Sequence, residues 1–195
     1  LNATQPANVA DWILLNLFDS RIELVGGVYQ AKAERGQHPV NRVLWEGAVA
    51  YCEHYGYRLP TEAEWEFAAG GPLSLDYPWG DAWDGAKCCY KDNQGPLGDT
   101  FEVGSFPDGA SWCGALDMAG NIMEWCADWM SFSYYAQSPI QDPTGPSAEG
   151  TWRVVRSGSY ARPAEELRCW ERRSALPDAD GGGFGFRVAD AGAGG

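Results

Sequence analysis

Cys52, Cys88, Cys89, Cys113, Cys126 and Cys169 are the side chains of this sequence most able to hold a soft metal or exchange electrons. None stands in C-x-x-C spacing, and the neighbours Cys88 and Cys89 are poorly placed to bond each other. Free thiols and one or two bridges are both open readings. Glu62, Glu64 and Glu66 share one short stretch. Paired carboxylates can do acid–base work, but helix capping, favourable charge at a helix N-terminus and solvated surface account for these three more simply. His38 and His54 are the only histidines, and His54 is expected on a helix surface or half-buried. The glycines from 181 to 185 lack the strand-to-helix context of a nucleotide loop.

A different chemistry is spread from Tyr160 to Phe184. Varied residues follow at short intervals: Tyr160, Ala161, Arg162, Pro163, Leu167, Trp170, Arg173, Ser174, Ala175, Leu176 and Ala179. Tyr, Trp and Arg are the types that anchor interfaces. This set is compatible with a contact surface for a protein or cell-surface partner. Arg162 and Arg173 are expected to be exposed, while Trp170 fits either a core or a contact role.

The elements that must position these residues are few. A strand-like stretch covers residues 21–30 (RIELVGGVYQ). Residues 44–56 (LWEGAVAYCEHYG) carry Ala48, Tyr51, Cys52 and Tyr55 at helical spacing, and Gly56 ends the pattern. A second helix runs over 61–69, marked by Thr61 with Glu64 three residues later, a capping box. Short strands are expected at 101–106, 123–129, 152–157 and 184–189. A helix is expected near 7–17 and a frayed tail at 191–195. Between the strands lies much unperiodic chain rich in Gly, Pro and Trp, which reads as packed loop.

The chain has 195 residues, enough for one domain with a core of its own. Its formal net charge is −13. That surface argues against nucleic acid and anionic lipid as partners. No apolar run is long enough to span a membrane, so no membrane insertion by this chain is expected. Because residue 1 is Leu rather than Met, a removed signal peptide or upstream domain is an open possibility. Localisation is undetermined, with export or surface display compatible.

Several segments in order resemble one family. They are RLPTEAEWEF at 58–67, YPWG at 77–80, VGSFP at 103–107, LDMAGNIMEWCADW at 116–129, SGSY at 157–160 and GFR at 185–187. Together they resemble the formylglycine-generating enzyme, or sulfatase-modifying factor, family over residues 38–190, leaving 1–37 as an arm outside the resemblance. The resemblance implies an α+β, C-type-lectin-like fold with small antiparallel sheets, two helices and long ordered loops. It also implies copper- and oxygen-dependent oxidation of a substrate cysteine, through two active-site thiols. In this sequence Arg162 stands at the first thiol position, no cysteine lies between Ser159 and Arg168, and an active-site Trp is Met123. Arg has no lone pair for Cu(I). No copper is therefore expected, and the catalytic reading fails at its essential residues.

The resemblance further implies one calcium site, with the Glu124 carboxylate and the carbonyls of Asp117, Gly120 and Ile122 as ligands. A turn at Gly120-Asn121 is the simpler alternative. A second family calcium site is disfavoured by Lys87. The layout from 160 to 187 resembles the variable proteins of diversity-generating retroelements, which end their variable region near GFR. The expected function is a non-enzymatic ligand-binding protein of that kind. The alternatives are an oxidase with unorthodox thiols and a silent paralogue that binds sulfatase-like substrates.

Overall fold

A computed structural model describes residues 20–148 and 150–190. The helix expected near 7–17 and the tail at 191–195 lie outside the described residues. The stretch at 21–30 is a hairpin rather than one strand. Strands β1 (Ile22–Val25) and β2 (Val28–Ala31) pair antiparallel. Gly26 and Gly27 turn the chain with φ of +58° and +83°, a turn that side-chain-bearing residues strain to make.

Helix α1 (Trp45–Tyr55) ends at Gly56, whose left-handed conformation lets its N–H reach back to the last turn. The short strand β3 (Tyr57–Arg58) follows. Helix α2 (Glu62–Gly70) opens with the expected box: Thr61 accepts from the Glu64 N–H, and the Glu64 carboxylate accepts from the Thr61 N–H. Residues 101–106 hold turns and no strand. Apolar residues there pack as loop, Phe101 against Phe106 edge to face.

The remaining strands are β4 (Met123–Trp129), β5 (Arg153–Arg156), β6 (Arg173–Ala175), β7 (Phe184–Gly185) and β8 (Ala189–Asp190). One sheet has the order β6-β5-β4-β7, and β8 pairs with β3. The 184–189 strand thus divides between two sheets. The sheets are not all antiparallel, because β7 runs parallel to β4. β6 carries no apolar run and has no strand signature in the sequence.

The four-stranded sheet is buried on both faces. Met123, Trp125 and Val155 pack with Ala48 and Cys52 of α1. Cys126 and Val154 pack with Trp65 and Ala69 of α2. Alternating side chains of β4 and β5 therefore serve two cores. The Arg153 guanidinium lies between the Trp45 and Trp129 rings, 3.4 and 3.5 Å from their centroids. It ties α1 to the sheet through cation–π contact.

Candidate functional site

At one end of the sheet, Met123 of β4 and Phe184 of β7 stand side by side in register. Arg173 of β6 lies opposite Val155 of β5. These four, with Ser174, Arg162 and Arg172, line a surface cavity of about 250 Å³. Arg162 reaches it from an irregular loop whose backbone is pinned on both sides. The Tyr160 N–H donates to the Asn121 carbonyl, the Arg162 N–H to Ser159, and the Lys91 N–H to Arg162. Gly158 makes that loop possible: its φ is +74°, and a Cβ there would stand 2.3 Å from Leu167.

The electrostatics are dense. Glu166 lies between Arg162 and Arg173, at 3.5 and 2.8 Å. Arg173 also approaches Glu171 at 3.4 Å. Arg162 and Arg173 are thus half-buried and ion-paired, rather than simply exposed. Arg172 grips the Glu62 carboxylate with both Nε and Nη2, at 2.6 and 2.7 Å, and that carboxylate holds Arg172 firmly charged. Glu62 is 1% exposed. It also meets Arg156 and accepts from the Tyr135 hydroxyl. Solvated surface is therefore the wrong reading for Glu62. Glu66 also binds Arg156, and Glu64 fits the capping role.

The expected ligand surface does not hold together as one set. Leu167 is wholly buried with Cys88 and Ala119, so it is core. Ala175 and Ala179 pack against the α1 core cluster. Trp170 is 47% exposed, but it lines a separate cavity of about 510 Å³ beside α2, with Phe67 and Tyr135. Its indole donates to Asp76. Tyr160 and Pro163 are half-buried, while Ala161 and Leu176 are exposed. Met123 and Phe184 line the Arg162 cavity although they were not among the expected contacts. Their apolar character alone marks only core.

The six thiols are free, and all but Cys113 are buried. None lines the Arg162 cavity. Burial pushes Cys52 and Cys89 up to about 11, and Cys88 and Cys169 to about 12. Cys126 is raised as well. Thiols so placed stay protonated at neutral pH and are poor ligands for a soft metal.

Of the expected calcium ligands, Asp117, Ile122 and Glu124 line one cavity of about 480 Å³ together with Arg187, and Gly120 is not part of that lining. Gly120 and Asn121 turn the loop with positive φ, and a Cβ on Gly120 would stand 2.0 Å from the Cys89 carbonyl oxygen. Glu124 accepts from Arg187 Nε and Nη2 at 2.5 and 2.7 Å, and from the Trp65 indole at 2.7 Å. Ser157 Oγ lies 2.9 Å from the Gly120 carbonyl. Two carboxylates face one guanidinium here. Burial and the Glu124 charge push the Asp117 carboxyl up. Arg187 Nη2 also donates to the carbonyls of Leu116 and Asp117, at 3.1 and 3.4 Å, so a cationic side chain already engages two of the expected ligands. Among the described residues, no group of three His, Cys, Asp or Glu is arranged to hold a metal.

Comparison with known proteins places this arrangement. The chain is 41% identical over 179 residues to the serine/threonine-protein kinase Pkn1 of Chlamydia trachomatis, a match covering 90% of this chain and 28% of that one. It is also 41% identical over 175 residues to the formylglycine-generating enzyme of Streptomyces coelicolor, covering 80% and 54%. It thus spans well under two thirds of these relatives. Among solved structures, Treponema denticola variable protein 1 superposes with a TM-score of 0.72 at 28% identity, over 79% of this chain and 71% of that one. PvdO from Pseudomonas aeruginosa gives 0.66 at 26% identity, over 86% and 67%. The sulfatase-modifying factor enzyme 1-like domain matches residues 15–191, reaching back beyond residue 38. The chain belongs to that family, on its C-type-lectin-like scaffold.

Proposed function

We propose that this chain is a non-catalytic ligand-binding module whose contact surface centres on the Arg162 cavity. The observation that carries this reading is the lining itself: three guanidiniums, a hydroxyl and three apolar side chains stand there, and no thiol. The family's oxidation needs two thiols at that place, and every buried cysteine of this chain lies elsewhere with its proton held. Likeness to a protein named as a variable protein supports the retroelement-diversified subtype. So does the position of Arg162, Arg172, Arg173, Ser174 and Phe184, the five lining residues that fall within the segment ending near GFR. The partner is a protein or cell-surface ligand.

The identity to a formylglycine-generating enzyme favours a second reading, an oxidase with unorthodox thiols. One assay separates the two: oxygen uptake by the purified chain with copper and a cysteine-containing peptide. No thiol-dependent uptake is expected, and turnover above the copper blank would overturn the binding reading. For the subtype, the DNA around the coding region is searched for a near-copy of codons 157–187 that differs at adenines. Its absence sinks diversification and leaves a silent paralogue that binds sulfatase-like substrates.

The same proposal assigns one calcium to the Asp117–Glu124 loop. The carbonyls of Asp117, Gly120 and Ile122, and a Glu124 carboxylate shared with Arg187, would hold it. Calcium is expected to raise the melting temperature of the wild type and not that of Glu124→Gln. An unchanged wild-type melting temperature at millimolar calcium would remove the ion from the proposal.

A further inference from the structure

The Arg162 cavity carries its own indication of what it accepts. Six of the eleven arginines of this acidic chain fall between residues 153 and 173. Of these, Arg172 is saturated by Glu62 and the Ser131 carbonyl. Arg162 and Arg173 are not. Glu166 Oε2 sits within ion-pair distance of both, yet it is buried and accepts no directed hydrogen bond from either. Arg173 Nε is likewise buried without a partner. Ionised groups so placed forgo most of the energy of charge-assisted bonding, which depends on aligned donors. Glu166 therefore neutralises the two guanidiniums by charge but does not satisfy their geometry. It comes from a short 3₁₀ turn, Ala164–Glu166, and the residue is partly exposed.

Resting on the binding reading above, we infer that the Arg162–Arg173 cavity is a carboxylate subsite, occupied in the free protein by Glu166 as a weak internal competitor. A ligand carboxylate entering beside Met123 and Phe184 can take two well-aligned donors from Arg173, which a guanidinium offers bidentately. Glu166 then turns outward to solvent. The rest of the ligand is constrained by the whole molecule. A net charge of −13 repels an acidic ligand over distances up to the Debye length, about 8 Å at physiological salt. The partner is thus a neutral or basic segment with a single isolated carboxylate, not an acidic tract.

The test uses the full chain and two blocked tripeptides, acetyl-Lys-Glu-Lys-amide and acetyl-Lys-Gln-Lys-amide. Each is titrated at about 0.15 M ionic strength and followed by the NMR signals of the arginine Nε–H groups. The Glu peptide is expected to bind saturably and move Arg173. The Gln peptide is expected to bind about tenfold more weakly, the usual reach of one good interaction. Glu166→Gln is expected to tighten the Glu peptide severalfold, and Arg173→Gln to abolish its preference while the amide spectrum stays folded. Equal affinity for the two peptides overturns the inference, and so does a Glu166→Gln variant that binds no tighter. Either failure leaves the oxygen-uptake result untouched, so it is distinguishable from failure of the binding reading itself.

Discussion

At the residue scale, the buried Glu62 network is where a single atom matters most. Glu62 is held by the buried Arg156 and the half-buried Arg172, and it is touched by the more exposed Tyr135. Removing its charge takes from Arg172 its carboxylate partner and leaves Arg156 only Glu66 and backbone carbonyls. Glu62→Gln is expected to cost about 3–5 kcal/mol in urea unfolding. Asp128 lies beneath the same site and accepts from the Glu62 N–H at 2.7 Å. Burial, with the Glu62 charge beside it, raises its carboxyl from 3.8 to about 6. The folded chain therefore holds a proton there that the unfolded chain has released. Linkage gives the sign: Asp128 weakens the fold above about pH 6, and that penalty is relieved as the pH falls from 6 towards 4. Wild type is expected to gain stability relative to Asp128→Asn between pH 7 and pH 5. A constant difference across that range would refute the assignment.

At the scale of elements, both helices were legible because their ends are written in local chemistry. Thr61 and Glu64 satisfy each other's backbone donors, and Gly56 supplies the left-handed residue that closes α1. Thr61→Ala is expected to destabilise by about 1 kcal/mol, read as a lower denaturation midpoint. The strands were less legible. The alternation of apolar and polar residues marks β4, yet its polar Glu124 and Asp128 are themselves buried, which that pattern does not reveal. β6 escaped notice because Arg173 and Ser174 are polar and only the pairing with β5 makes them a strand. Residues 101–106 look like a strand and are not, because the aromatic contact of Phe101 with Phe106 is made by a turn.

At the scale of the whole molecule, the thiols report how the chain closes. Five are buried and only Cys113 is exposed. An aromatic disulfide reagent is expected to label one thiol rapidly in the native protein and all six after unfolding. Rapid labelling of two or more would mean that the core clusters around Cys88, Cys126 or Cys169 open more readily than their burial implies.

The sequence by itself determined the family and the two helices, because motifs and caps are local or ordered along the chain. The tertiary structure alone decided which residues of the 160–184 segment share a surface. Leu167 and Trp170 lie three residues apart, yet one is sealed in the core and the other lines a different cavity from Arg162. It also brought Met123, Phe184 and Arg173 together from three strands, and set Glu166 between two arginines. Such juxtapositions depend on strand register and on loop paths that turn through positive φ, and those follow from packing across the whole fold rather than from any run of neighbouring residues.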